Sequence, residues 1–132
     1  MVAPRHVVLL ADDYHDARQG LAMYLDVHGY EVHGAVDGAD ALLLIATGLR
    51  PCVVVADVQM PEMDGWTLIE RLRADPACAT VPVILYSGWA LEGGDVERAR
   101  RLGVCAHFLK PVEPDRLMVA IVEHRRCDCP AP

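Results

Sequence analysis

The feature of the sequence that most constrains its fold is a strict alternation between short apolar runs and longer segments with helical periodicity. The run at residues 52–56 is rich in β-branched residues and too short for a free-standing helix, which predicts a buried strand. Segments between such runs carry apolar residues three or four positions apart, as Ala17, Leu21 and Leu25 do. The pattern occurs five times, and it predicts a parallel sheet covered by helices on both faces.

The expected elements form one α/β domain, a doubly wound (βα)5 fold. Right-handed crossovers restrict the topology, and the flavodoxin-like strand order 2-1-3-4-5 makes neighbours of the strands that end in polar residues. We expect a single domain over residues 1–132, with a core at about 5–124 and a frayed tail at 125–132. The strands are expected at 6–11, 30–35 (an edge strand), 52–57, 81–86 and 106–109, the third helix at 65–74, the fifth from Pro114 or Asp115, and a turn at Asp37 and Gly38.

The composition fits a soluble globular protein. Of the 132 residues, 53% are hydrophobic and 23% are charged, which excludes an intrinsically disordered chain. No apolar run approaches the roughly 18 residues of a membrane span, and no secretory signal opens the sequence, so we expect a cytoplasmic protein with no membrane partner. The net charge of −7 argues against direct DNA binding, which favours a basic face.

Two residue types are distributed unevenly. The five cysteines are irregularly spaced and suggest no disulfide framework, and Cys52 and Cys105, beside predicted strands, are expected to be small core residues. Eleven of the twelve basic residues are arginine, and Lys110 is the single lysine. A site that needs a compact point charge would explain this choice, and so would chance.

Polar residues stand where four of the five predicted strands end. Asp12 and Asp13 follow the first strand, Asp57 ends the third, Ser87 follows the fourth, and Lys110 follows the fifth. Because the carboxyl ends of parallel strands meet at one edge of a sheet, these side chains are expected to share one crevice.

Three clustered carboxylates repel one another, and a hard divalent cation such as Mg²⁺ would relieve the repulsion. Lys110 would add a second positive charge. The metal, Lys110 and the Ser87 hydroxyl would then form a clamp for a phosphoryl group. Asp57 lies centrally in this cluster and is the candidate nucleophile.

These residues resemble the receiver domain of the two-component response-regulator family. The resemblance covers about residues 5–124. The motifs that carry it are the acidic pair Asp12 and Asp13, the run at 57–65 that is similar to D-x-x-M-P-x-M-D-G, the dipeptide Ser87-Gly88, and Lys110-Pro111.

The resemblance implies a phosphorelay function. A sensor histidine kinase or a phosphotransfer protein would pass a phosphoryl group to Asp57, in a reaction that the receiver catalyses itself. The metal, Mg²⁺ with Mn²⁺ as a possible substitute, would be held by Asp13, Asp57 and the backbone carbonyl of Gln59, with Asp12 supporting it through water. Lys110 would contact the phosphoryl group.

The resemblance also implies a switch. Ser87 would move to bind the phosphoryl group, an aromatic residue three positions before the lysine would follow it, and the altered face would recruit or release an unknown downstream protein. Such a receiver is not an enzyme towards other substrates, although residual autophosphatase activity is expected. It would be a stand-alone regulator or a part of a hybrid histidine kinase.

One position departs from the family pattern. His107 occupies the switch position, where the family usually has Tyr or Phe, and Phe108 should point to the opposite face of its strand. His107 could rotate as a planar ring and make the switch sensitive to pH near neutrality, or it could be a solvated strand residue without a switching role. Trp89 and Gln59 are expected to tune the access of water to the phosphoryl group.

Three other interpretations of these motifs remain open. Asp12 and Asp13 could be a helix N-cap pair, since Asp is favoured there. The chain could be an interaction module that never takes phosphate, against which the complete acidic set and Lys110 argue. It could also be a phosphatase with an aspartyl intermediate, although Gln59 stands where that family expects a second aspartate.

Overall fold

The computed structural model describes residues 5–126, and these form a five-stranded sheet with five helices. The strands are β1 Val7–Ala11, β2 Glu31–Ala35, β3 Val53–Asp57, β4 Val83–Ser87 and β5 Val104–Leu109. The helices are α1 His15–Val27, α2 Gly38–Ala46, α3 Gly65–Ala74, α4 Gly94–Arg101 and α5 Pro114–His124.

All neighbouring strands are parallel, in the order β2-β1-β3-β4-β5, which confirms the predicted flavodoxin-like fold. In the register of the sheet, Ala11 pairs with Ala56, Asp57 with Tyr86, and Ser87 with Leu109. The carboxyl ends of β1, β3, β4 and β5 therefore meet at one edge. β2 lies at the side of the sheet and is less buried than β1, as predicted for an edge strand.

Alternation along the strands builds two hydrophobic clusters, one on each face of the sheet. Val54 and Ala56 of β3 pack in the cluster under α2, α3 and α4, which we call the α3 face. Val53 and Val55 pack in the cluster under α1 and α5, which we call the α5 face. A residue at the end of a strand is thus assigned to one layer by its position in the alternation.

Two boundary predictions are corrected at the ends of strands. β4 begins at Val83 rather than Val81, because Pro82 between them has no N–H to donate to a ladder. β5 begins at Val104, two residues earlier than expected, because Val104 already pairs with Val83 of β4. The next residue of β4 pairs with Ala106, so Cys105 forms a bulge between the two pairs.

The bulge also corrects the prediction for Cys105, which lies in it and is exposed rather than in the core. Cys52 is fully buried, as expected, but it is also disulfide-bonded, which the irregular spacing of the cysteines did not predict. The predicted turn at Asp37 is instead the start of α2, where the Asp37 carboxylate accepts a hydrogen bond from the Asp40 N–H at 2.8 Å.

The chain beyond α5 is ordered for at least two residues. The Arg125 N–H donates to the Ile121 carbonyl at 2.8 Å, and the Arg126 N–H donates to the Cys52 carbonyl at 3.1 Å. Residues 127–132 of the predicted tail lie outside the described residues. Among the helices within residues 5–126, none is long and apolar enough to cross a membrane.

The loop from β3 to α3 is closed by a tight backbone approach at Gly65. Its N–H donates to the Val58 carbonyl at 3.0 Å, and a Cβ on Gly65 would lie 2.4 Å from the carbonyl oxygen of Asp57. Glu62, earlier in this loop, has a φ of 67° in the left-handed region that favours glycine. The loop therefore holds the end of β3 in a conformation that leaves no room for a side chain at residue 65.

Replacement of Gly65 by Ala should lower the free energy of unfolding by about 1–3 kcal/mol, because the new methyl group must displace the backbone of Asp57. Thermal or urea unfolding measures the change. The matched control is Gly20→Ala within α1, where a Cβ meets nothing within 4 Å. In that variant the free energy of unfolding should rise by roughly 0.5–1 kcal/mol, because alanine has a better helix propensity than glycine. Equal effects of the two substitutions would contradict the close approach.

Candidate functional site

Three carboxylates converge at the carboxyl edge of the sheet. Asp57 ends β3 and is buried, Asp12 directly follows β1 and is fully buried, and Asp13 is exposed. One oxygen from each lies within 4.8 Å of the others. An all-oxygen donor set of this size, open to solvent on one side, fits a hard divalent cation.

Lys110 supplies the positive charge of the site. It follows β5, and its Nζ donates to Asp57 Oδ2 at 2.8 Å while lying 3.8 Å from Asp12 Oδ2. The Lys110 N–H donates to the Ser87 carbonyl at 2.7 Å, which ties the lysine to the end of β4. The single lysine of the chain therefore contacts two of the three carboxylates.

The environment of Asp57 disfavours its charge even with Lys110 in contact. Burial raises the pKa of the Asp57 carboxyl, and the Asp12 carboxylate adds to this. Lys110 and the Gln59 N–H, which donates to Asp57 Oδ1 at 3.1 Å, act in the opposite direction without cancelling the effect of burial. Both oxygens of Asp57 are thus fixed in orientation. A further cation in contact with them would stabilise the charged form of the carboxyl.

Asp12 is held by two donors of the protein. The Tyr14 N–H donates to Oδ1 at 3.0 Å, and the Tyr86 hydroxyl donates to Oδ2 at 2.5 Å. The alternative that the acidic pair caps the first helix is wrong, because Tyr14 is the N-cap residue of α1.

Tyr86 was missed by the sequence analysis. It is buried, and its ring lies under the Lys110 ammonium, with 4.6 Å between Nζ and the ring centroid. The signal that could have found it is the alternation of β4. Tyr86 pairs with Asp57 in the sheet and packs with the cluster of the α5 face, so it lies beside the carboxylates, whereas its neighbour Ser87 lies on the other face.

Ser87 connects the site to His107. The buried Ser87 hydroxyl donates to the Trp89 carbonyl at 2.5 Å, and its oxygen lies 3.1 Å from Nε2 of His107. Because the hydroxyl has one proton, His107 is the donor in the second hydrogen bond. Phe108 packs with the cluster of the α5 face, opposite to His107, as the strand alternation predicts.

His107 is half-buried and is not merely a solvated strand residue. Burial lowers the pKa of its imidazole below the ordinary value of a histidine. Burial therefore favours the neutral form of the ring, which moves any response of this residue to pH below the ordinary range of a histidine.

Gln59 and Trp89 lie at the rim. Gln59 lines an open cleft together with Asp13 and Pro61. Trp89 is 67% exposed and lies outside the pocket, although its carbonyl contacts Ser87. The structure thus brings the carboxylates, Lys110 and the Gln59 backbone together, and it places Trp89 beside rather than within the site.

Comparison with known proteins agrees with this fold. The profile of the response regulator receiver domain matches residues 8–122. In three dimensions the chain superposes on the chemotaxis protein CheY4 of Vibrio cholerae with a TM-score of 0.83 and 27% identity, over 91% of this chain and 98% of that protein. The chain belongs to the response regulator receiver domain family.

Two relatives differ in how much of their length the chain spans. An uncharacterized 14.6 kDa protein of Leptolyngbya boryana is 37% identical over 89% of this chain and 88% of its own length. The response regulator PleD of Caulobacter vibrioides is 34% identical over 86% of this chain, but the match spans 25% of PleD. Similarity to PleD therefore concerns about a quarter of that protein.

Asp57→Asn should stabilise the protein in the presence of a chelator, because it removes a buried charge. The pKa of Asp57 is raised in the folded state, so the wild-type protein loses stability as the pH rises from the unfolded-state pKa through the folded-state pKa. The free energy of unfolding of Asp57→Asn should equal that of the wild-type protein at low pH and should exceed it by on the order of 1 kcal/mol at pH 7.

Urea unfolding across this pH range measures the effect. Asp26→Asn is the control, because Asp26 is exposed and lies at the far end of α1. That variant should change stability by less than about 1 kcal/mol. A variant Asp57→Asn that is less stable than wild type at pH 7 would show that Lys110 outweighs burial.

Proposed function

We propose that this chain accepts a phosphoryl group on Asp57 from a histidine of a sensor kinase or of a phosphotransfer protein, in a Mg²⁺-dependent reaction, and then switches a protein-interaction face. The observation that carries the proposal is the contact of the single lysine, Lys110, with the buried Asp57 inside a cluster of three carboxylates. A nucleophile, a fixed cation and a metal-binding donor set are the parts that phosphoryl transfer needs.

The donor set suits Mg²⁺, with Mn²⁺ as a possible substitute. Asp13, Asp57 and the backbone carbonyl of Gln59 are the proposed direct ligands. Asp12 is assigned to the outer sphere, acting through water, because both of its oxygens already accept hydrogen bonds from the protein. When bound, the cation neutralises the carboxylates and the charge that develops on the phosphoryl oxygens.

The chemical step is an in-line displacement at phosphorus. An Asp57 carboxylate oxygen forms the new P–O bond, the P–N bond to the donor histidine breaks, and the electron pair of that bond returns to the imidazole nitrogen. Lys110 is already oriented towards Asp57 and is the residue proposed to bind the transferred phosphoryl oxygens. The receiver supplies orientation and charge, as expected for this type of transfer.

The proposed switch begins at Ser87. To bind the phosphoryl group, the Ser87 hydroxyl must release the Trp89 carbonyl, and His107 can follow because its Nε2 is hydrogen-bonded to the same oxygen. The change would spread to the outer side of α4 and β5, where it alters contacts with a downstream protein as a shift between two populations.

The proposal has a defined scope. The receiver would span about residues 5–124 and would act as a phosphoacceptor rather than as an enzyme on other substrates, with residual autophosphatase activity. Gln59 and Trp89, at the rim of the site, are proposed to tune the access of water and therefore the lifetime of the phosphorylated form. Whether it stands alone or belongs to a hybrid histidine kinase, the output of this chain would be a protein contact and not DNA binding.

Incubation with Mg²⁺ and a small phosphodonor such as acetyl phosphate should add one phosphoryl group, detected by intact mass. Asp57→Asn should abolish the adduct because the nucleophilic oxygen is lost, and EDTA should do the same. Lys110→Ala should slow labelling by roughly 100-fold, as the loss of a charge that stabilises the transition state does elsewhere. Asp26→Asn should label like the wild-type protein.

Two outcomes would contradict this assignment. The absence of any adduct, also with a phosphohistidine protein as donor, would favour an interaction module that never takes phosphate. Multiple turnover of a phosphate ester through Asp57 would favour the phosphatase alternative. An adduct that persists in Asp57→Asn would move the phosphoacceptor to another residue.

Phosphorylation should change the fluorescence of Trp89, because Ser87 must release the Trp89 carbonyl. Ser87→Ala should reduce this response severalfold while labelling continues. Trp66→Phe is the control and should keep the response, since Trp66 is buried in α3 and packs against Arg98. A response that disappears with Trp66 instead would locate the conformational change under α3.

A further inference from the structure

Tyr86 is a buried phenol to which the proposed phosphoryl transfer assigns no part. Its hydroxyl donates to Asp12 Oδ2 at 2.5 Å, and its ring lies beneath Lys110. Burial, followed by the hydrogen bond to Asp12, raises the pKa of Tyr86, so the phenol remains a donor at every physiological pH. The residue thus contacts one acidic and one basic member of the site.

Two buried carboxylates, those of Asp12 and Asp57, compete for the ammonium group of Lys110. Asp12 and Asp57 are both buried carboxylates, and Lys110 Nζ is within 4 Å of each, at 3.8 Å from Asp12 and 2.8 Å from Asp57. A buried carboxylate whose oxygen lacks a donor is costly, so an unsatisfied Asp12 would attract the ammonium. Lys110 can remain on Asp57 only if another donor serves Asp12.

We propose that Tyr86 is a positioning residue that holds Lys110 on the phosphoacceptor. Its hydroxyl satisfies Asp12 Oδ2, which removes the competing demand for the ammonium. Its ring offers a negative π face to Nζ and supports the lysine from below. Where it concerns the rate of phosphoryl transfer, this inference rests on the proposed function; where it concerns the position of Lys110, it does not.

The single lysine makes a direct test possible. In protein labelled with ¹³C- and ¹⁵N-lysine, NMR detects one side chain, and the ring current of Tyr86 should shift the Lys110 Hε resonances upfield. Tyr86→Phe should reduce that shift without Mg²⁺, because Asp12 draws the ammonium away from Asp57. Tyr86→Leu should abolish it, since the ring is also lost.

A double variant separates positioning from a general structural role. In Asp12→Asn with Tyr86→Phe, the competing charge is gone, so the Lys110 resonances should return towards their wild-type position. Tyr30→Phe is the matched control, because Tyr30 is a buried tyrosine of the same face at the opposite edge of the sheet. It should leave the lysine resonances unchanged.

Activity gives a second readout. At saturating Mg²⁺ and phosphodonor, Tyr86→Phe should label about tenfold more slowly than wild type, as the loss of an outer-sphere partner does in other metal sites. Lys110 resonances that are identical in wild type and Tyr86→Phe would overturn the inference, whatever the labelling rate. An absence of labelling in wild type, with the lysine resonances shifted as expected, would instead overturn the proposed function and leave the inference intact.

Discussion

The ion pair between Lys110 and Asp57 is the interaction on which the rest of the site depends. A carboxylate buried this deeply costs several kcal/mol unless a partner meets it, and the partner here is 53 residues away in sequence. β3 and β5 are not neighbours, because β4 lies between them. The residue of β4 at this position must therefore be compatible with both a carboxylate and an ammonium group. Tyr86 meets that requirement, because its hydroxyl is directed to an acid and its ring to a cation.

The geometry at the carboxyl edge is fixed mainly by backbone. The Gln59 N–H orients Asp57, the Tyr14 N–H orients Asp12, and the carbonyl of Ser87 accepts from the Lys110 N–H. Loop conformation therefore determines where the charged atoms lie. The close approach at Gly65 also fixes this geometry, since a side chain there would displace the backbone of Asp57, the proposed nucleophile.

Much of this arrangement could be predicted from the sequence because its signals are local. An apolar run that stops at Asp57 or Lys110 marks a strand end, and parallel topology brings such ends together. Other features depend on long-range geometry. The bulge that exposes Cys105 follows from the register between β4 and β5, and the contact of Arg126 with Cys52 joins the segment after α5 to the residue before β3. Tyr86 was missed because an aromatic residue inside an apolar strand is usually core, and its polar atom becomes informative only when the face is known.

The alternation of β4 has a consequence for how the molecule can vary. Tyr86 faces the layer of α1 and α5, with the carboxylates and Lys110, whereas Ser87 faces the layer of α4, with His107. Two consecutive residues of one strand thus contact different groups: Tyr86 contacts Asp12 and Lys110, whereas Ser87 contacts His107. Substitutions under α4 can alter the packing around His107 without replacing the residues that contact Asp12 and Lys110. The packing of one face of the sheet can therefore change while the carboxylate site on the other face is kept.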